Sequence, residues 1–396
     1  MSKPLAVTWG SNAAWAATGY GTQTKQVVTR MIRDGHHVAV AANYGLEATM
    51  SNWEGIEHFP RGFDAYSQDV LTAYYKDWER QHPDADPLMM TLYDVWVYQN
   101  PAFANIPRIA SWVPIDHLPI PTKVAEWCNR PNVTPIAMSH YGSAQLEAAG
   151  IEHLCIPHGI ETAVFKPTSE IADAGGTIRT GREIMGIPDE DVHITGIINA
   201  NKGVAPVRKA FGEQLLAWSI FAKGKDDVRL YMHTESSGAM GGIPFDPLMK
   251  SVGLDGDKVK FVNQYQLRVG IPNEAMAAIY TGLDVLLAPT LGEGFGLTVA
   301  EAESCGTRAI VNDFSAQPEL ISDGWKITGQ PLWDPAQEAW FNIPSVKDMV
   351  RALEESYERR DERHSEDARR HIVENYDADT LYNERWRPAF ELILRP

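Results

Sequence analysis

Short apolar runs alternate with amphipathic stretches along almost the whole chain. Runs of this kind, bounded by turn-forming residues, predict buried strands. The predicted strands lie near residues 5–9, 38–42, 88–92, 109–113, 135–138 and 154–156 in the first half, and near 194–198, 228–232, 259–262, 285–288 and 309–311 in the second. Strands that alternate with helices are typical of βαβ units around parallel sheets, so the pattern predicts an α/β fold.

The chain divides at a stretch without apolar periodicity. Residues 167–191 are rich in Gly, Asp, Thr and Pro, a composition that favours a linker. A chain of 396 residues exceeds one comfortable core, so two domains are expected. We predict a first domain over 1–170, a linker over 171–191 and a second domain over 192–376.

Composition narrows the possible partners. The formal charge of −17 argues against a nucleic-acid backbone or an anionic membrane as the main partner. No run of 18 apolar residues occurs, so no transmembrane segment is predicted. Cys128, Cys155 and Cys305 follow no metal or redox spacing, which suits packing roles in a reduced cytoplasm. We therefore expect a cytoplasmic protein.

The most informative stretch runs from Glu293 to Gly306, Glu-Gly-Phe-Gly-Leu-Thr-Val-Ala-Glu-Ala-Glu-Ser-Cys-Gly. It follows a predicted strand, and its second half reads as a helix that Gly306 ends. Glu293 then lies in a loop at the carboxyl end of a strand, and Glu301 lies on the first turn of the helix. Ligands of open α/β sheets bind at this edge.

A structural alternative exists for the second carboxylate. Thr298 and Glu301 also fit a capping box, which would explain Glu301 without any ligand. The capping box explains neither Glu293 nor the glycines around it, which free the backbone for close approach to a bound molecule. We therefore favour ligand binding.

Further polar groups follow other predicted strands. The sequence Gly19-Tyr20-Gly21 precedes a helical pattern, so its amides would favour an anion or simply form a tight turn. His117, next to Asp116, follows the strand near 109–113 and could orient a ligand or move a proton, although a capping or core histidine is the alternative.

A cluster of cations follows the strand near 194–198. Lys202 lies just beyond this strand, and Arg208 and Lys209 open the next helical pattern. Cations at a helix N-terminus oppose the helix dipole unless an anion offsets them. A nucleotide diphosphate is such an anion, whereas a solvated helix face is the structural alternative.

The stretch from Glu293 to Gly306 resembles the E-x7-E signature of retaining glycosyltransferases of the GT-B fold, in particular glycosyltransferase family 4, the glycosyl transferases group 1. The resemblance implies two Rossmann-like parallel-sheet domains that face each other across a cleft. It also implies that the last helix, within 377–396, returns to the first domain. The chain departs from the family where Asn201-Lys202 replaces the usual Gly-Arg, which leaves open whether Lys202 or Arg208 carries the main role.

The resemblance also implies roles for residues. His117, Glu293, Lys202 and Lys209 would be catalytic, and the donor would be bound by Arg208, Gly294, Phe295, Gly296, Leu297, Thr298, Glu301, Gly19 and Gly21. No Asp-x-Asp follows a hydrophobic strand, so we expect neither a metal nor a cofactor.

The expected function is transfer of a hexose-type sugar from a nucleotide diphosphate sugar to a protein, lipid-linked or small-molecule acceptor, with retention. Two alternatives remain at this point. One is a GT-B nucleotide-sugar epimerase or phosphorylase, and the other is a catalytically silent sugar-nucleotide binding module.

Overall fold

The computed structural model describes residues 3–172, 175–189, 191–203, 206–254 and 256–394. Contacts divide the chain into two units. The first unit holds the residues up to Gly159, the short segment Asp334–Ala339 and the residues from Ala378 onward, and the second unit holds Ile160–Trp333 and Trp340–Asp377.

The first unit is built on a sheet of eight strands among the described residues, in the order β3-β4-β2-β1-β5-β6-β7-β8. All neighbours pair in parallel except β3 and β4. The strands are β1 (Leu5–Ser11), β2 (His37–Ala42), β3 (Ser51–Trp53), β4 (Ile56–Phe59), β5 (Asp86–Leu92), β6 (Ile109–Val113), β7 (Val133–Ala137) and β8 (Leu154–Cys155). Every residue of β1 and β6 is buried, as expected of a parallel sheet covered on both faces.

Four helices connect these strands in the described part of the first unit. They are α1 (Gly19–Arg33), α2 (Leu71–Gln81), α3 (Thr122–Cys128) and α4 (His140–Ala148). Helix α1 begins at the cap residue Thr18, whose hydroxyl accepts from the Gly21 amide, and it buries Val27, Val28 and Met31. Short 3₁₀ turns span Val95–Val97 and Pro101–Asn105.

The last residues pack on this first sheet. Helix α13 (Ala378–Leu381), a π-helical turn (Tyr382–Trp386) and α14 (Arg387–Ile393) form one continuous segment. The Trp386 ring packs against Trp9 and Trp112, with ring centroids 6.4 and 4.8 Å apart. Arg387 pairs with Asp34 at 2.7 Å. These contacts explain why the end of the chain groups with the first unit.

The second unit contains a parallel sheet of six strands within the described ranges, in the order β13-β12-β11-β14-β15-β16. Its strands are β11 (His193–Ile198), β12 (Val228–His233), β13 (Val259–Phe261), β14 (Val285–Leu287), β15 (Ala309–Asn312) and β16 (Trp325–Ile327). Two short hairpins complete the described strands, β9 (Glu170–Ala172) with β10 (Ile178–Thr180) and β17 (Gly329–Asp334) with β18 (Ala339–Pro344). The segment Asp334–Ala339 at the turn of the second hairpin groups with the first unit.

The helices of the second unit complete the α/β pattern. They are α5 (Gly181–Met185), α6 (Phe211–Phe221), α7 (Phe245–Ser251), α8 (Gln264–Val269), α9 (Asn273–Gly282), α10 (Leu297–Ser304), α11 (Val346–Glu358) and α12 (Glu366–Tyr376). A 3₁₀ turn spans Gln317–Leu320. The predicted α/β class with large parallel sheets is confirmed.

The stretch expected to be a linker contains regular structure. Strands β9 and β10 and helix α5 fall within or overlap residues 171–191, of which 173, 174 and 190 lie outside the described residues. The described part groups with the second unit. Arg182 explains this, because its buried guanidinium donates to Asp284 at 2.8 Å and to two backbone carbonyls. In the described part of the chain, we find no helix whose length and apolar character would allow it to span a membrane.

Candidate functional site

The loop between β14 and α10 is held by side chains of the neighbouring strand and turn. Asn312, at the end of β15, donates to the Thr290 carbonyl at 2.8 Å, and Gln317 donates to the Ala288 carbonyl at 2.7 Å. Parallel neighbours β14 and β15 bring these residues to the same carboxyl edge. The loop that carries Glu293 is therefore a fixed part of the second unit.

Gly296 sets the start of α10. Its φ of 113° lies in a region that L side chains rarely adopt, and an added Cβ would lie 3.1 Å from Leu320 Cδ1. Gly296 is the cap residue, no side chain caps the helix, and Thr298 lies inside α10. The capping-box interpretation of Thr298 and Glu301 is therefore wrong.

Glu293 pairs with two cations. Its carboxylate accepts from Lys209 Nζ at 2.5 Å and from Arg208 Nη1 at 3.1 Å. The Glu293 side chain is only 12% exposed, so these pairs are partly shielded from water. Its backbone amide donates to Ser315 Oγ at 2.9 Å. Two cations therefore meet at one carboxylate at this edge of the sheet.

The sequence predicts Arg208 and Lys209 on the first turn of a helix. In the structure both residues lie just before α6. Helix α6 begins at Phe211, and its cap residue Ala210 has a left-handed backbone with φ 49°. Arg208 also donates to the Gly292 carbonyl at 2.6 Å, while its own carbonyl accepts from the Leu291 amide at 2.8 Å. The segment is thus tied along the Glu293 loop. Ser315, the other partner of Glu293, also has a positive φ of 57°, and such backbone strain tends to occur at functional sites.

Lys202 lies in the loop after β11. It is exposed to solvent, whereas the preceding Asn201 is buried. Asn201 donates to the carbonyls of Glu235 and Ile243 and accepts from the Ile243 amide, so it holds the segment that follows β12. The structure therefore brings Arg208 and Lys209 together with Glu293.

Glu301 lies on the second turn of α10, one turn later than expected. Its carboxylate accepts from the hydroxyl of the fully buried Tyr280 at 2.8 Å. Burial raises the pKa of Glu301 to about 7, and the Tyr280 hydrogen bond acts in the opposite direction. A half-buried carboxylate with one oxygen oriented by a tyrosine suits a hydroxyl-bearing ligand.

The remaining residues of the motif differ in their roles. The Phe295 ring is buried and packs edge-to-face on Tyr376, with centroids 5.5 Å apart. The buried ring therefore stabilises the loop by packing. Only the backbone of Phe295 would be available to contact a ligand. Leu297 begins α10, and Gly294 lies between Glu293 and Phe295 in the same loop.

His117 is buried in the first unit beyond β6. Its Nδ1 lies 2.7 Å from Asp116 Oδ1, and its Nε2 lies 3.4 Å from Oδ2 of Asp334, a residue of the same unit. The Tyr141 hydroxyl donates to the His117 carbonyl at 2.8 Å. This histidine is held between carboxylates and is not a simple capping residue.

Gly19 and Gly21 form the first turn of α1 and do not precede the helix. The Gly21 amide is already used by Thr18, and an added Cβ at Gly21 would lie 2.2 Å from the Ala16 carbonyl oxygen. Close packing of the preceding loop therefore explains why a glycine is needed at Gly21. Gly19 is exposed at the start of the helix.

Sequence reasoning missed three partners of the site residues, namely Tyr280, Ser315 and Asp334. Each contact joins residues far apart in the chain, so no local sequence pattern predicts it. Ser315 carried the only weak signal, because it follows the strand near 309–311 and therefore lies at the ligand-binding edge.

Comparison with solved structures shows which fold this chain has. Sucrose-phosphate synthase from Thermosynechococcus elongatus superposes with a TM-score of 0.75 at 15% identity, covering 99% of both chains. Alr3699/HepE from Anabaena in complex with UDP and glucose superposes with a TM-score of 0.64 at 13% identity, covering 98% of this chain and 100% of that one. The chain has the GT-B fold with two Rossmann-like domains, as predicted.

A family model matches part of the chain. Residues 191–357 match the family described as glycosyl transferases group 1, and the predicted resemblance to this family is confirmed. The D-inositol 3-phosphate glycosyltransferase of Paenarthrobacter aurescens is 28% identical over 200 residues, which cover 50% of this chain and 42% of that protein.

A second type of relative matches more of the chain. The lipopolysaccharide core biosynthesis mannosyltransferase LpcC of Rhizobium leguminosarum bv. viciae is 26% identical over 267 residues, covering 64% of this chain and 63% of that protein. The chain spans less than half the length of the first two curated relatives, 42% and 36%.

Proposed function

We propose that this protein is a glycosyltransferase that moves a hexose-type sugar from a nucleotide diphosphate sugar to an acceptor. The observation that carries the proposal is the cation pair Arg208 and Lys209 on the buried carboxylate Glu293, at the carboxyl edge of the second sheet. The match of residues 191–357 to the glycosyl transferases group 1 supports it. The names of relatives include a mannosyltransferase, and HepE was solved with UDP and glucose, which supports a hexose donor.

In the proposed reaction, the bond between the anomeric carbon and the diphosphate oxygen breaks while the bond to the acceptor oxygen forms. Negative charge then grows on the departing phosphate. Arg208 and Lys209 would stabilise this charge together with the backbone amides from Gly294 to Leu297. Lys202 would assist from the loop after β11.

Glu293 and Glu301 would orient the donor. Glu293 would accept hydrogen bonds from the sugar hydroxyls, and Glu301 would accept them from the ribose through the oxygen that Tyr280 does not occupy. His117 would orient the sugar or the acceptor. We propose retention of configuration with no protein nucleophile, so that the acceptor's proton passes to the departing phosphate.

We also propose that the reaction needs no metal ion, since the two cations near Glu293 supply positive charge for the leaving group. A cytoplasmic location is proposed on the free cysteines Cys128, Cys155 and Cys305, which suit a reducing compartment. Detection of the protein in the cytoplasmic fraction of its cells would test the location.

The direct test is a thermal-shift screen against UDP, GDP, ADP and dTDP sugars, each without and then with Mg²⁺. Stabilisation by one donor without the ion is expected, because a ligand that binds only the folded state raises its stability. Lys209→Ala should abolish that shift, whereas Lys250→Ala on the exposed part of α7 should keep it. A shift that needs Mg²⁺ would contradict metal independence, and no shift with any donor would contradict the proposed function.

A further inference from the structure

Four aromatic side chains gather at the carboxyl edge of the first sheet. Ring centroids lie 5.6 Å apart for Tyr20 and Tyr93, 6.4 Å for Tyr66 and Tyr93, and 6.1 Å for Tyr66 and Trp96. We call Tyr20, Tyr66, Tyr93 and Trp96 the edge cluster. Its members follow strands β1, β4 and β5, which lie close together in the sheet order. The fold thus brings rings from three separate chain segments to the edge where α/β sheets bind ligands.

Hydrogen bonds hold these rings at the edge. Asn43, just after β2, donates to the Tyr93 hydroxyl at 2.5 Å, and Tyr20 donates to Asp94 at 3.2 Å. Asn43 also accepts from Ser67, the neighbour of Tyr66, at 2.9 Å. The rings are therefore fixed in position, although Tyr66 remains 37% exposed.

The loop that carries Tyr66 also carries an exposed aromatic ring. Phe63 is fully exposed, at 102% of its reference area. Its backbone amide donates to Asp69 at 2.9 Å, and the Gly62 amide donates to Ser67 at 3.1 Å. These hydrogen bonds hold the loop in place while the Phe63 ring stays in solvent. The exposed ring therefore contributes no hydrophobic free energy to folding.

The charge around the edge cluster is unfavourable for a phosphate. Asp94 contacts Tyr20, and Asp64 and Asp69 lie in the Tyr66 loop. The nearby cation Arg61 has its Nη1 3.6 Å from Glu47 Oε1. The Gly21 amide at the start of α1 already donates to Thr18. A phosphorylated molecule would meet carboxylates here, whereas a neutral polyol would find hydrogen-bond acceptors beside aromatic faces.

We propose that the edge cluster binds the acceptor and that this acceptor is an uncharged, hydroxyl-rich carbohydrate, not a sugar or polyol phosphate. The inference rests on the proposed function. Apolar C–H faces of the carbohydrate stack on Tyr66 and Phe63, and its hydroxyls donate to Asp94.

The test uses the full chain and the donor that stabilises it, and it measures nucleotide release. Methyl glucosides, methyl mannosides, maltose and myo-inositol are compared with glucose 6-phosphate and myo-inositol 1-phosphate. At least one neutral compound should raise release about tenfold above donor hydrolysis, and the phosphates should stay at the hydrolysis rate. Preference for a phosphate, or no stimulation by any neutral compound, would overturn the inference. A protein that neither binds nor hydrolyses any donor would overturn the proposed function itself.

Variants of the edge cluster and of the loop that carries Tyr66 separate acceptor binding from folding. Tyr66→Ala and Phe63→Ala should each raise the acceptor KM about tenfold, consistent with loss of one aromatic contact, and leave the donor KM unchanged. Tyr66→Phe should behave as the wild type. Trp340→Ala removes a comparably exposed ring from β18 and should change neither KM. Unchanged acceptor KM in both alanine variants would show that the edge cluster does not bind the acceptor.

Discussion

Lys209 Nζ lies 2.5 Å from Glu293 Oε1, although 84 positions separate the two residues in the chain. The contact joins the loop before α6 to the loop after β14, and the parallel pairing of β11 with β14 brings these loops to one edge. Arg208 contacts the other oxygen of the same carboxylate. The three side chains hold one another in place, so the proposed donor site is preorganised.

The first prediction concerns this trio. Glu293→Ala and Lys209→Ala should each lower turnover about 10²-fold or more, in line with the loss of one preorganised electrostatic contact. Circular dichroism should show an intact fold. Steady-state rates with the stabilising donor check the effect, with Lys250→Ala as the control. Near-normal turnover in both variants would contradict the assignment of the site.

The second prediction uses the pKa of Glu301. Burial raises this pKa from its ordinary value of 4.5 to about 7, so between these pH values the folded protein binds more protons than the unfolded chain. Stability therefore falls as the pH rises through this window. Glu301→Gln removes the effect, and its melting temperature relative to the wild type should increase from pH 4.5 to pH 8.

The same variant should bind nucleotide more weakly. A neutral amide is a poorer acceptor for ribose hydroxyls than a carboxylate, so we expect roughly a tenfold loss of affinity at pH 8. The loss should be smaller at pH 6, where the Glu301 carboxyl is mostly protonated. Titration calorimetry at both pH values checks this. Equal affinities of variant and wild type at pH 8 would argue against a ribose contact.

Local pattern was sufficient to predict eleven of the fourteen strands that the described residues contribute to the two main sheets, because parallel strands are short continuous apolar runs. All eleven predicted strands occur within two residues of their expected bounds. The short strands β3, β4 and β16 and both hairpins were missed. In β9 and β10 the exposed residues carry no such run. The pairing of Glu293 with Arg208 and of Glu301 with Tyr280 depends on chain segments that only the folded sheet brings together.

The third prediction tests why position 21 is a glycine. Gly21→Ala would place Cβ 2.2 Å from the Ala16 carbonyl oxygen and 2.9 Å from that of Ala13. Both are backbone atoms, so relief requires a shift of the loop, and we expect a loss of about 1–3 kcal/mol in stability. Gly212→Ala in α6 is the matched control. Nothing lies within 4 Å of its added Cβ, so stability should stay equal or rise by up to about 1 kcal/mol. Thermal melts of the two variants check the difference, and equal melting temperatures would contradict the packing explanation.

The fourth prediction concerns the buried pair that ties α5 to the second sheet. Arg182 and Asp284 expose 2% and 3% of their side chains and lie 2.8 Å apart. Asp284 also accepts from the Ile194 amide in β11 at 2.6 Å and pairs with Arg363 at 3.1 Å. Removal of its charge would leave the Arg182 guanidinium buried without its carboxylate, a change that typically costs about 3–5 kcal/mol.

Asp284→Asn should therefore destabilise the second unit by an amount in that range and expose the amides of β11 and α5 to faster hydrogen exchange. The control is Arg351→Ala. It removes surface pairs with Asp348 and Glu355, each at 3.7 Å, in which the arginine is 63% exposed, so the cost should be below about 1 kcal/mol. Hydrogen exchange also tests whether residues 171–191 are a loose linker or a part of the second unit. Rapid exchange of the α5 amides in the wild type would favour a loose linker, whereas protection in the wild type that is lost in Asp284→Asn would show that the buried pair makes this stretch part of the second unit.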